Sequence, residues 1–140
     1  MCGYDGGKKV KGRKRHIVTD TTGNLLEVVV HAANIHDTKS AHFVLSKVKE
    51  KYETIKAFSG DAGYRKTAVE YVENTLGLRM DISEKIKDTF AVLPIRWVVE
   101  RTFAWIGNSR RLSKDYERYA STEENMVRIA MIRVTLRKCV

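Results

Sequence analysis

Two acidic side chains stand where a carboxylate could do chemistry. Asp61 lies in "SGDAGY" after a short apolar run, flanked by Gly60 and Gly63, which let the backbone turn sharply and a large ligand approach. Glu100 lies in "IRWVVERTFAW", and its neighbours one helical turn away are Arg96, Trp97, Phe103, Ala104 and Gly107, not a solvated polar set. Each has a plainer reading, Asp61 as a turn aspartate or helix cap and Glu100 as the ion-pair partner of Arg96 or Arg101. Taken together, a strand-end aspartate and an inward-facing helical glutamate can converge on Mg²⁺, a hard cation that takes oxygen ligands and keeps waters for phosphate oxygens. Two such ions stabilise the attacking and leaving oxygens of an in-line phosphoryl displacement. The apolar wall around Glu100 would fix its rotamer and limit water.

Positioning these groups requires a scaffold, and the chain's patterning predicts one. "HIVTD" and "LLEVVVHA" are β-branched runs around "TTGN", a hairpin signal with Gly23 and Asn24 supplying the turn. Asp37 can cap a helix in which Ala41, Val44, Leu45 and Val48 recur at helical spacing. "TIKAFSGDAGY" reads as a strand ending at Gly60-Asp61, and Ala68, Tyr71, Val72 and Leu76 mark a helix stopped by Gly77. "LRMDI" is a fourth strand. Pro94 suits the first turn of the helix carrying Glu100, where its missing N–H would be unpaired anyway. Ser121 and Glu124 form a capping-box pattern ahead of a last helix with Val127, Ala130, Met131 and Val134 on one face. This order predicts a mixed α/β domain with a partly parallel sheet covered by helices on both faces.

Composition narrows the class. A chain of 140 residues, 43% hydrophobic and 31% charged, is one domain in size and able to bury roughly two thirds of its unfolded surface, so disorder and low complexity are excluded. Lys+Arg 26 against Asp+Glu 17 leaves a net charge of +9, which favours a polyanionic partner, nucleic acid first. No apolar run approaches a spanning helix and the N-terminus lacks a signal peptide's apolar segment, so no membrane partner and a cytoplasmic location are expected. Cys2 and Cys139 lack metal-ligand spacing and read as reduced thiols. Residues 1–15 carry three early glycines and then Lys8, Lys9, Lys11, Arg13, Lys14 and Arg15, which predicts a flexible basic arm in salt-sensitive contact with DNA phosphates.

The segments "YDGGKKVKGRKRHIVTDTTGNLLEVVVHAANIHD", "SGDAGYRK" and "LPIRWVVERTFAWIGNSRRLSKDYER" resemble the catalytic domain of bacterial insertion-sequence transposases of the DDE type, over nearly the whole chain. The resemblance implies a ribonuclease-H-like fold over residues 16–140. It also implies divalent ions (Mg²⁺ or Mn²⁺) that cut DNA at transposon ends and join it to a target. Asp61 matches the family's second aspartate and Glu100 its helical glutamate, so both are expected as catalytic metal ligands. In the family's wider signature Arg96 also fits, whereas Leu93 stands for a Tyr and Gly107 for a Lys. Arg110 and Arg111 are inferred to substitute as DNA-contacting cations. The family's first aspartate lies on a strand upstream of the segment with which this chain opens, and neither Asp5, in the glycine arm, nor Asp20, by the hairpin turn, is placed to replace it. The first, central strand is thus expected to be missing, and the domain to be partial and weakly active alone, with an upstream transposase polypeptide or a homo-oligomer as partner. The alternative is a non-catalytic nucleic-acid-binding transposon remnant. His31, His36 and His42 are too dispersed over strand, loop and helix to form a metal set, and Trp97 and Trp105 are expected in the core rather than stacked on a base.

Overall fold

The computed structural model describes residues 2–6, 9–83 and 94–139. Strands β1 (Gly3–Asp5), β2 (Val10–Thr19) and β3 (Leu25–Ala32) form an antiparallel sheet in that order. Pairing of β2 with β3 runs from Arg13 opposite Ala32 to Ile17 opposite Val28, and slips between Val18 and Thr19. The predicted turn follows. Asp20 accepts hydrogen bonds from the backbone N–H groups of Thr22 and Asn24, each at 2.9 Å, and from both their side chains, while Gly23 takes φ +89°.

Helix α1 (Asp37–Lys51) leads to β4 (Ala57–Asp61), α2 (Thr67–Asn74) and β5 (Arg79–Ser83), and β4 and β5 pair in parallel as a second sheet. Helices α3 (Pro94–Gly107) and α4 (Ala120–Lys138) complete the chain. Successive residues of β3 face opposite ways. Val29 enters a cluster with Ala41, Val44, Leu45 and Val48 of α1, Phe58, Ala68, Val72 and Met80. Val28 and Val30 enter another with Ile17, Ile106, Leu112, Val127, Ala130 and Met131. A strand buried on both sides explains the continuous "VVV" run, and each fully buried valine contributes roughly 1.5–3 kcal/mol relative to exposure.

Three expectations are corrected. The single mixed sheet is two sheets, with no ladder joining β2 to β4 among the described residues. The basic arm expected over residues 1–15 instead supplies β1 and the first half of β2, because counter-charges meet it on both faces. Arg13, its side chain 2% exposed, bonds both oxygens of Asp115 and the Glu117 carbonyl and lies 3.4 Å from Glu123. Arg15 contacts Glu123 at 2.5 Å and donates to the carbonyls of Leu112 and Lys114. On the other face Lys14 bridges Asp5 at 3.3 Å and Asp37 at 3.2 Å. The caps also differ. His36 rather than Asp37 caps α1, its ring accepting from Thr38, and the Asp37 carboxylate goes to Lys14. No side chain caps α4, since Glu124 accepts the Val30 N–H at 2.9 Å instead of closing a box with Ser121.

Candidate active site

Asp61 is the last residue of β4, level with Ser83 of β5, so it stands at the carboxyl end of the parallel pair, where sites in open α/β sheets form. It is exposed and caps the 3-10 turn Ala62–Tyr64, with Oδ1 accepting the Gly63 N–H at 2.9 Å. Gly60 does not make room for a ligand. A Cβ there would lie 2.9 Å from Met80 Cε and 3.1 Å from Tyr64 Cδ2, so this glycine lets Tyr64 fold back over the strand. The Tyr64 hydroxyl meets His16 Nε2 of β2 at 3.3 Å, with the rings edge to face. Burial raises the Tyr64 pKa, helped by the charges of Asp37 and Asp61. Burial also holds the His16 imidazole below its ordinary value, reinforced by His31 and opposed by Asp37 and Asp61. The Asp61 carboxylate thus sits in the electrostatic reach of a neutral His–Tyr pair that joins β2 to the end of β4. The sequence reading passed over this pair, for which the only signals were a histidine opening a β-branched run and the tyrosine of "DAGY".

Glu100 corrects the expectation of an inward-facing carboxylate. The packed face of α3 is formed by Val99, Thr102, Trp105 and Ile106, and Glu100 lies outside it with its side chain 60% exposed, paired to Arg96 at 2.9 Å. Its apolar neighbours are no wall either, since Trp97 is 46% and Phe103 39% exposed. The helix is fastened by other groups. Buried Thr102 donates to the carbonyl of Gly23 at 3.1 Å, and Arg101 to that of Thr22 at 2.8 Å. Helix α3 also abuts β4, which brings the elements carrying Asp61 and Glu100 side by side. Both plainer readings are present, a capping aspartate and an ion-paired glutamate, yet each uses one carboxylate oxygen and leaves the other unbonded among the described residues.

No set of three His, Cys, Asp or Glu side chains placed to hold a metal ion occurs among the described residues. The donor chemistry of Asp61 and Glu100 suits a hard cation, but as a shell it is incomplete. His31 contacts the Ala32 carbonyl, His36 caps α1, and His42 stacks on Tyr71 at 4.2 Å. Of the cations expected at DNA, Lys9, Lys11 and Arg110 are exposed, and Arg111 is exposed but paired to Glu117 at 2.7 Å, which raises the guanidinium pKa. Arg13, Lys14 and Arg15 are engaged in the fold as described. Lys8 and Leu93 lie outside the described residues.

A Burkholderia cepacia protein assigned as a transposase for insertion sequence element IS402 is 28% identical over 117 residues, which cover 78% of this chain and 56% of that protein. The chain therefore spans little more than half the length of this relative. No solved structure matches it significantly. No described helix is long and apolar enough to cross a membrane. The sequence profile of the transposase DDE domain matches residues 2–135, almost from end to end, and the chain belongs to that family of insertion-sequence transposases.

Proposed function

We propose that this chain takes part in divalent-metal-dependent cleavage and transfer of DNA strands at insertion-sequence ends, with Asp61 and Glu100 as ligands of Mg²⁺ or Mn²⁺. The observation that supports this reading is that the strand ending in exposed Asp61 contacts the helix that carries Glu100, and each carboxylate has one oxygen unbonded among the described residues. When bound, the ion supplies Lewis acidity to a phosphate oxygen and lowers the pKa of an attacking hydroxyl. The chain's own contribution is to hold and orient. The 3-10 turn fixes the Asp61 rotamer through Gly63, and Arg96 sets Glu100 while remaining 40% exposed to a phosphate.

Phosphate contacts are assigned to Lys8, Lys9, Lys11, Arg96, Arg110 and Arg111. Arg13 and Arg15 are withdrawn from that role because their guanidinium groups are held by Asp115 and Glu123. With only two carboxylates in the shell, the chain alone binds metal weakly and catalyses little. The β2 edge beyond Gly12, on the side away from β3, has no strand partner among the described residues, and neither has the β4 edge away from β5. These edges suit a strand from an upstream polypeptide or a second copy, which could bring a further carboxylate.

Thermal unfolding with and without Mn²⁺ tests the site. Mn²⁺ should raise the melting temperature of the wild type but not of Asp61→Asn or Glu100→Gln. An equal rise in all three removes both residues from the site. Binding of DNA without any metal effect would transfer the reading to the non-catalytic nucleic-acid binder.

A further inference from the structure

Helix α4 is apolar on two opposite sides, and the fold covers one of them. Val127, Ala130 and Met131 are buried with Val28 and Val30 of β3, and Val134 packs beside them. On the far side Ile129, Ile132 and Leu136 are spaced to form a single ridge, are 57%, 58% and 61% exposed, and line a shallow groove with Arg133 and Arg137. A helix apolar all round ordinarily lies inside a protein, and a contiguous exposed apolar patch marks a contact surface. The charges beside the ridge are uneven. To one side Arg128 is tied to Glu27 at 2.8 Å and lies 3.9 Å from Glu124. To the other, Arg133 and Arg137 stand one turn apart, both exposed and without a carboxylate partner among the described residues, and they also border a cleft with Trp105, Asn108 and Ser109.

We propose that this ridge receives an amphipathic protein helix whose own apolar ridge is bordered by Asp or Glu, with those carboxylates meeting Arg133 and Arg137. Charge complementarity selects this occupant. A second copy laid α4 to α4 brings arginine to arginine, because both carboxylates of that helix are engaged: Glu123 with Arg13 and Arg15, Glu124 with the Val30 N–H and Arg128. A DNA backbone offers nothing apolar to two isoleucines and a leucine. An anionic lipid surface is best served by tryptophan or phenylalanine in the apolar face and by free cations across the polar one, and this ridge has neither the aromatic residues nor, in Arg128, a free cation on its second side. None of these residues belongs to the proposed metal site or phosphate contacts, so the surface stands or falls separately from them.

The test titrates the whole chain with two fluorescently labelled helical peptides that share one leucine ridge, flanked by glutamates in the first and by lysines in the second, and follows anisotropy. The wild type should bind the glutamate peptide about 10-fold or more tightly than the lysine peptide. A variant with Ile129→Ser and Ile132→Ser, which leaves the charge unchanged, should lose about 10-fold or more of that affinity. A variant with Arg133→Glu and Arg137→Glu should reverse the preference and favour the lysine peptide. All four positions lie on the solvent side of α4, and circular dichroism verifies that each variant is folded. Failure of the glutamate peptide to bind, equal affinity for both peptides, or equal affinity of the wild type and the serine variant overturns the proposal. Self-association of the wild type that disappears in the serine variant, without peptide binding, overturns it in favour of a second copy. Binding to phosphatidylserine vesicles, but to neither peptide, overturns it in favour of a lipid surface.

Discussion

At the scale of single residues, the informative group is His16. It is half-buried between Tyr64 and His31, and burial, then His31, keeps its imidazole from protonating at the ordinary pH. Below about pH 6.5 the unfolded chain takes up a proton there that the folded chain refuses. Its contribution to stability is therefore complete above that pH and declines as the pH drops toward the depressed folded-state value. Urea midpoints at pH 8 and pH 5.5 should show the loss in the wild type and a smaller one in His16→Gln. An identical loss in both proteins places the acid sensitivity elsewhere. The same residue scale separates Asp61 from Glu100. The first was legible in "SGDAGY", because a glycine-flanked aspartate after an apolar run marks a strand end. For the second, the apolar neighbours suggested enclosure, and the fold left them in solvent.

Elements are joined by charges that no local pattern reveals. Glu123, 2% exposed on α4, meets Arg13 and Arg15 of β2, more than a hundred positions away, and Asp115 closes the group. Hydrogen bonding to Arg13 holds the Asp115 carboxyl below its usual range. Glu123→Ala leaves two enclosed guanidinium groups with less counter-charge, and should cost about 3–5 kcal/mol by urea denaturation. A loss within about 0.5 kcal/mol would mean that Asp115 and the carbonyls alone suffice. By contrast, Ala41, Val44, Leu45 and Val48 were identifiable as the packed face of α1, and all four are buried. Apolar spacing reports burial directly, whereas a run of basic residues looks the same whether it meets water, DNA or buried carboxylates.

For the whole molecule, the net charge of +9 overstates the cations available to a ligand. Arg13, Lys14 and Arg15 are neutralised within the fold and Arg96 and Arg111 each pair with a glutamate, which leaves Lys9, Lys11 and Arg110 without an ion pair among the described residues expected at DNA. DNA affinity should fall as a power of salt concentration, and Lys9→Ala or Lys11→Ala should each reduce that slope by about 1. Titrations over a salt series measure this directly, and an affinity that barely changes with salt would exclude a phosphate role for these lysines.

The amino-acid order by itself determined the succession of strands and helices, the residues of α1 and α4 that enter the core, the hairpin turn and the family. These depend on periodicity and turn chemistry within a few residues, which folding reinforces. Only the tertiary structure decided that the sheet is in two parts, that the basic segment is a strand, and that Glu100 and Trp97 face solvent. Those outcomes depend on which distant groups arrive opposite a given side chain, and neither hydrophobic spacing nor local charge carries that information.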